Sequence, residues 1–270
     1  MKKVPVSNED KKKDYYKYYL QDCLIEPKEK YQQVEAGSSD NALVLRIQDR
    51  NDLFKPGYLP QEFGWWMLED GTAVIANCTP YPKVTGEMFD WFFAWVGIDR
   101  LIYAIWDNED HYDDYLTDPT KAKNLNLSHR ERCWGTVHNI WEDIGLGETN
   151  LLKLAFERPL TMGYDESKID TEACNALVCA NCLVVGGEHF DDIPVVMTHF
   201  LRPTKDGSEL RSRFWFGWQI ENGKAVKAIP DGTSVGKEEP VALLRHNIKE
   251  FTNLSHILPA FYAEQKDFLK

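Results

Sequence analysis

The chain has little positive charge to offer a polyanion. Its 31 Lys and Arg face 43 Asp and Glu, for a formal net charge of −12. Binding to a nucleic-acid backbone needs clustered cations that displace counterions, so nucleic acid is not an expected partner. No apolar run approaches the roughly 18 residues of a membrane-spanning helix, so no membrane partner is expected either. Behind the basic start Met1-Lys2-Lys3 there is no apolar segment, so no secretory signal is read there and the expected compartment is cytoplasmic. Cysteine is sparse: Cys23, Cys78, Cys133, Cys174, Cys179 and Cys182 lie mostly in apolar segments, as expected for reduced, buried thiols. Cys179-Ala180-Asn181-Cys182 has the spacing of half a metal or redox site, but it sits in a strand-like run without a second pair. Gly145-Leu146-Gly147 and Gly186-Gly187 lack the strand–helix context of nucleotide loops and read as turns. No repeat or low-complexity tract appears.

What the chain does have is 270 residues, 43% hydrophobic and 27% charged, the balance of a soluble globular protein able to bury a full core. Aromatic residues make up 13%, a large stock of flat apolar surface that can pack a core or line a pocket for a planar ligand.

Residues 8–22 read as an amphipathic helix behind the capping types of Ser7–Asp10, too poor in apolar surface to fold alone and suited to packing on the main domain or on a second subunit. Residues 26–60 read as irregular connection with one short strand at Ala42–Ile47. Thr72–Cys78 reads as a strand ended by Thr79-Pro80-Tyr81-Pro82. A helix follows from near Thr85, carrying Met88, Trp91, Phe92 and Trp95 on one stripe and stopped by Gly97. Further strands are expected at Arg132–Ile140, Asn150–Phe156, Ala173–Val185, Pro194–Leu201, Leu210–Ile220 and Lys224–Ile229. The turn signals Lys205-Asp206-Gly207-Ser208 and Glu221-Asn222-Gly223-Lys224 make the last three an antiparallel meander. A final helix opens with Glu238, Glu239 and Pro240, buries Val241, Leu244, Ile248, Phe251 and Leu254, and is expected to end at Pro259. A long antiparallel sheet followed by one amphipathic helix suggests an α+β fold in which a curved sheet grips that helix around a cavity. The organisation read from this is an N-terminal helical and irregular arm, 1–60, and a main domain, 61–270.

Three groups carry candidate chemistry. His246 and Glu250 lie four apart on the final helix, close enough for one cation to reach both, at the edge of its buried stripe; the alternative is a surface ion pair. The run Asp107-Asn108-Glu109-Asp110-His111-Tyr112-Asp113-Asp114 holds five carboxylates and a histidine. Most of these acids read as a solvated loop, whereas His111 is flanked by aromatics and can ligate metal as neutral imidazole. Glu142, the third candidate, is a carboxylate at the end of an apolar strand, and the alternative is an exposed strand-end acid. His129, His138, His189 and His256 show no partner pattern and read as structural or surface residues.

The stretches Trp106–Asp113, Trp141–Gly145, Met197–Pro203 and Arg245–Leu254, in this order and spacing over about residues 60–260, resemble the diacetylphloroglucinol and phloretin hydrolases. The resemblance implies a zinc-dependent hydrolase that cuts the carbon–carbon bond between a phloroglucinol ring and its acyl group, on a helix-grip fold like that of the major birch-pollen allergen, as a homodimer. Its zinc ligands fall on His111, Glu142, His246 and Glu250. Tyr103, Asp114, His199 and Phe214 fall on substrate-contacting positions, with Tyr103 and His199 handling ring oxygens and the ring proton and Glu142 a candidate for a catalytic role besides ligation. Phe214 and Asp114 stand where the diacetyl-type enzymes have tyrosine and asparagine. Both changes alter hydrogen-bonding capacity and favour a larger acyl group such as that of phloretin. The competing readings are a helix-grip carrier of a hydrophobic phenolic ligand without chemistry, and a hydrolase of another β-diketone.

Overall fold

The computed structural model describes residues 2–24, 28–37, 41–186 and 192–267; Gly187 and His189 lie outside them. In chain order the elements are α1 (Tyr16–Tyr19), α2 (Lys28–Ala36), β1 (Gly64–Met67), β2 (Ala73–Tyr81), α3 (Gly86–Trp95), α4 (Arg100–Trp106), β3 (His111–Leu116), α5 (His129–Cys133), β4 (Val137–Glu142), β5 (Asn150–Glu157), β6 (Ala176–Val184), β7 (Ile193–Thr204), β8 (Gly207–Phe216), β9 (Trp218–Glu221), β10 (Lys224–Lys227) and α6 (Glu238–Gln265), with short 3-10 turns before β1 and β6. Eight strands form one antiparallel sheet in the order β1-β2-β8-β7-β6-β5-β4-β3, and β9–β10 is a separate hairpin.

Strand alternation divides the buried residues between two faces. Val195, Met197 and Leu201 of β7 and Leu210, Phe214 and Phe216 of β8 join the core between the sheet, α3, α4 and α6. Val196 and Phe200 of β7 and Trp215 of β8 join a second core on the opposite face, roofed by Val44, Leu45, Ile47, Leu53 and Phe54. The sheet thus wraps α6 on one side and carries a strap of N-terminal chain on the other. Among the described residues no helix is long and apolar enough to cross a membrane.

Several expectations change. The run at Ala42–Ile47 forms no strand; it is 3-10 turn and coil whose apolar side chains roof the outer core, with Leu45 O accepting from Trp215 Nε1 at 2.9 Å. The segment 8–22 is only partly helical, a 3-10 turn at Asp10–Lys12 and the single turn of α1, which packs Tyr15 and Tyr18 on Phe261. β2 continues through Pro80, because β1 covers it only as far as Ala76 and a missing N–H is tolerated on the open side. Arg132 and Cys133 lie in α5, opened by the reciprocal capping of Ser128 and Glu131, and the strand begins at Val137. Gly217, at φ 84°, breaks the long final run, so the last two strands form their own hairpin rather than extending the meander. α6 runs past Pro259 to Gln265, because its last turns still bury Phe261 and Tyr262, which meet Trp91 of α3 edge-on.

Candidate functional site

One end of the inner face collects ionisable side chains from three elements. His111 opens β3 directly opposite Glu142, the last residue of β4, and a bulge between His111 and Asp113 sets the local register. His246 and Glu250, one turn apart on α6, come down onto them from the gripped helix. His111 Nε2 lies 3.2 Å from His246 Nε2, 3.7 Å from Glu142 and 3.7 Å from Glu250, and His246 Nε2 lies 3.9 Å from Glu142. None of the four is more than 7% exposed.

Each is held from behind. His111 stacks on Tyr103 of α4 with ring centroids 4.1 Å apart, and its Nδ1 lies 3.2 Å from the Tyr103 carbonyl. A carbonyl only accepts, so Nδ1 carries the proton and Nε2 presents a lone pair. Glu142 accepts from the Tyr103 hydroxyl. Asn77 donates to Asn247, which donates to Glu250 at 3.1 Å, and Glu250 O accepts from Trp106 Nε1. His246 Nδ1 faces Asp110 at 3.7 Å.

The donor chemistry fits a divalent cation: two imidazole nitrogens face each other at hydrogen-bond distance, with two carboxylates close by. Burial pushes Glu250 well above the usual carboxylate range, and Glu142 also rises by burial, His246 opposing both shifts. Burial and His246 hold His111 well below its usual value. His246 goes up to about 10, because Glu142, Asp110 and Glu250 outweigh the effect of its burial. Asp107, His111 and His246 also offer ligand atoms within 4.8 Å of one another, so Asp107, capping the end of α4, belongs to the same centre.

The acidic run is therefore not a solvated loop. Asp107 and Asp114 are buried, and Lys249 of α6 reaches Asp107, Glu109 and Asp110 at 3.1, 2.9 and 2.7 Å. Lys249 lies more than a hundred residues away in the chain, so nothing near the run signalled its burial.

From this centre a cavity of about 60 Å³ extends between the sheet and α6. Tyr103, Glu142 and Glu250 line its charged end, and Asp114 and His199 add polar groups to walls made largely of residues such as Phe93, Leu152, Phe156, Met197 and Phe214. Tyr112 is not among the lining residues. His199 Nδ1 sits 2.9 Å from Ser212 Oγ, with Phe93 and Phe251 against its ring. Burial pulls His199 down to about 3, so it is neutral at neutral pH. His138 is neither a surface residue nor without a partner: it is 2% exposed, and its Nδ1 lies 3.0 Å from both oxygens of Asp114. Sequence reasoning missed this pair because its members lie on neighbouring strands 24 positions apart. The six cysteines form no disulfide, and Cys179 and Cys182 are buried in β6.

Residues 44–263 match the family described as the DAPG hydrolase PhiG domain. The chain is 45% identical to a phloretin hydrolase of Eubacterium ramulus, covering 98% of this chain and 95% of that one. It is 24% identical to a 2,4-diacetylphloroglucinol hydrolase of Pseudomonas protegens, covering 93% and 84%. Among solved structures, Ara h 8.0201 aligns with a TM-score of 0.42 at 12% identity, over 70% of this chain and 99% of that one.

Proposed function

The chain belongs to the DAPG hydrolase family, and we propose that it hydrolyses the carbon–carbon bond joining a phloroglucinol ring to its acyl group, with phloretin as substrate and zinc as cofactor. The observation that supports this reading best is the meeting of His111, Glu142, His246 and Glu250 at one end of a largely apolar cavity. A carrier of hydrophobic ligands has no use for such a group, which is costly to bury.

An aryl carbanion is a poor leaving group. If a ring hydroxyl gives up its proton and the acyl-bearing ring carbon gains one, the ring becomes a β-diketone. Water can then add its hydroxyl to the acyl carbon while the electron pair of the breaking bond leaves as a stabilised enolate. The products are phloroglucinol and a carboxylic acid. A divalent cation held by His111, Glu142, His246 and Glu250 would supply Lewis acidity to polarise the ketone and acidify water.

The remaining work falls to the chain. Tyr103, whose phenol burial and Glu142 hold well above its usual pKa, keeps its proton and donates a hydrogen bond at the charged end. Neutral His199, fixed by Ser212, can hold a ring oxygen, and because burial disfavours its charged form it passes on a ring proton rather than keeping it. Glu142, which accepts from Tyr103 and lies 3.7 and 3.9 Å from His111 and His246, is the candidate base. Phe214, against His199, gives an apolar wall where the acyl arm would lie, and Asp114 contacts the ring. The proposal extends to a cytoplasmic homodimer, with residues 61–270 as catalytic domain and 1–60 as an arm; six free cysteines accord with a reducing compartment.

Chromatography of phloretin digests, with metal analysis of the protein, tests the reading. The expected result is release of phloroglucinol by protein holding about one zinc per chain, lost in His111→Ala and Glu250→Ala. Recovery of intact phloretin after long incubation with zinc-loaded protein would favour the carrier, and equal cleavage of unrelated β-diketones would favour the broader hydrolase.

A further inference from the structure

The cavity wall contains a buried pair in which one member reaches the lumen and the other stands behind it. Asp114 lines the cavity; His138 does not. The carboxylate lies with both oxygens 3.0 Å from His138 Nδ1, and the two side chains belong to adjacent strands. On its far side His138 Nε2 is 3.2 Å from Thr136 Oγ1, whose own proton goes to the Cys133 carbonyl at 2.5 Å. The threonine oxygen therefore has only lone pairs left for the ring, so Nε2 donates to it while Nδ1 faces the two carboxylate oxygens.

The ring has no room to turn. Phe156 meets it edge-on at 4.7 Å, and Gly97, just beyond α3, approaches so closely that a Cβ there would lie 2.4 Å from His138 Cε1. An ionised carboxylate has about four acceptor sites, and His138 engages them from one side only. The oxygens thus keep acceptor capacity facing a cavity that is mostly apolar, where a donor would be bound strongly.

We propose that His138 is a positioning residue of the substrate site: it holds Asp114 as an oriented, acceptor-only carboxylate that takes a hydrogen bond from the ring hydroxyl opposite the acyl group. Asp114 pairs with Ile140, one inward position along β4 from Glu142. Two strand residues cover about 7 Å, which is of the order of the span from an acyl carbon to the hydroxyl across one benzene ring. This inference rests on the acylphloroglucinol reading above, and on Gly97 as the residue that leaves space for the imidazole.

The test compares kcat/KM for phloretin with that for its analogue lacking the hydroxyl para to the acyl group, in the zinc-loaded parent and in His138→Leu, His138→Asn and Gly97→Ala. Any intrinsic difference in reactivity between the two compounds is common to all four proteins and cancels. In His138→Leu the preference for phloretin should fall by about tenfold to a hundredfold. His138→Asn, which keeps a donor toward Asp114, should recover part of it. If His138→Leu does not fold, Gly97→Ala should show the same loss of preference. A preference unchanged within about threefold in folded His138→Leu or Gly97→Ala, whatever happens to thermal stability, would overturn the positioning role. A parent that cleaves neither compound would overturn the acylphloroglucinol reading and this inference with it.

Discussion

The two faces of the sheet both bury charge, and they do so in opposite ways. On the outer face Arg211 and Arg213, each fully buried, share Glu62 at 2.6 and 2.5 Å, and Arg211 also donates to the Leu53 carbonyl at 2.8 Å. Both guanidinium groups are paired with a carboxylate of the chain itself, and the result ties the strap around residues 53–62 to β8. On the inner face Glu142, Glu250 and Asp107 crowd two histidines, and the nearby ammonium of Lys249 is already occupied with Asp107, Glu109 and Asp110. Buried charge paired within the chain fastens a fold, whereas a buried surplus of anionic ligands suits something that is not part of the chain.

That contrast can be broken at either face. The largest effect on stability is expected from Glu62→Ala, which leaves two guanidinium groups buried without their carboxylate. It should cost about 3–5 kcal/mol in chemical denaturation while leaving turnover per folded molecule unchanged, and a cost below about 1 kcal/mol would mean that the outer charges are not paired in the way described.

A smaller effect separates His199 from the charged end. Its folded pKa of about 3 lies below the unfolded 6.5, so the unfolded chain binds this proton first. The stability it contributes is complete above pH 6.5 and is lost as pH falls toward 3, at up to about 1.4 kcal/mol per pH unit. His199→Gln should show a shallower loss of stability in that window, measured by denaturation at a series of pH values; parallel curves would place the imidazole in a more polar setting than its burial implies.

The smallest effect is expected from Glu250→Gln in chelator-treated protein. Removing one member of a surplus of acids should change stability by no more than about 1 kcal/mol, or raise it. A loss as large as that of Glu62→Ala would mean that the inner carboxylates are fastening the fold after all.

Much of the fold was legible where local chemistry decides it. Thr85 caps α3, Pro240 opens α6, and the turn at Lys205–Ser208 joins β7 to β8, because caps and tight turns depend on residues within a few positions of one another. Where distant packing decides, the reading failed. Val44, Leu45 and Ile47 have the composition of a strand but pack as coil on an outer face that no local pattern reveals. Pro259 carries an ordinary stop signal, overridden by the burial of Phe261 and Tyr262 beyond it. The Ser128–Glu131 capping box was present in the sequence and was overlooked in favour of an apolar run. At the site, the i, i+4 spacing of His246 and Glu250 was visible, but their meeting with His111 and Glu142 depends on the grip of the sheet around α6. The partners of Asp107 and Asp114 likewise lie on other elements and left no trace near them in the chain.

The central claim, that the inner face is built for a cation, is tested most directly by thermal unfolding of chelator-stripped protein titrated with zinc. A ligand bound to the native state alone, at a hundredfold excess over its Kd, contributes about 2.7 kcal/mol, which for a chain of this size raises the midpoint by about 5–10 °C. The account predicts that rise in the parent and in Glu62→Ala, and its absence in His111→Ala with Glu250→Ala combined. A parent midpoint unmoved by zinc, or an equal rise in the double variant, would contradict it.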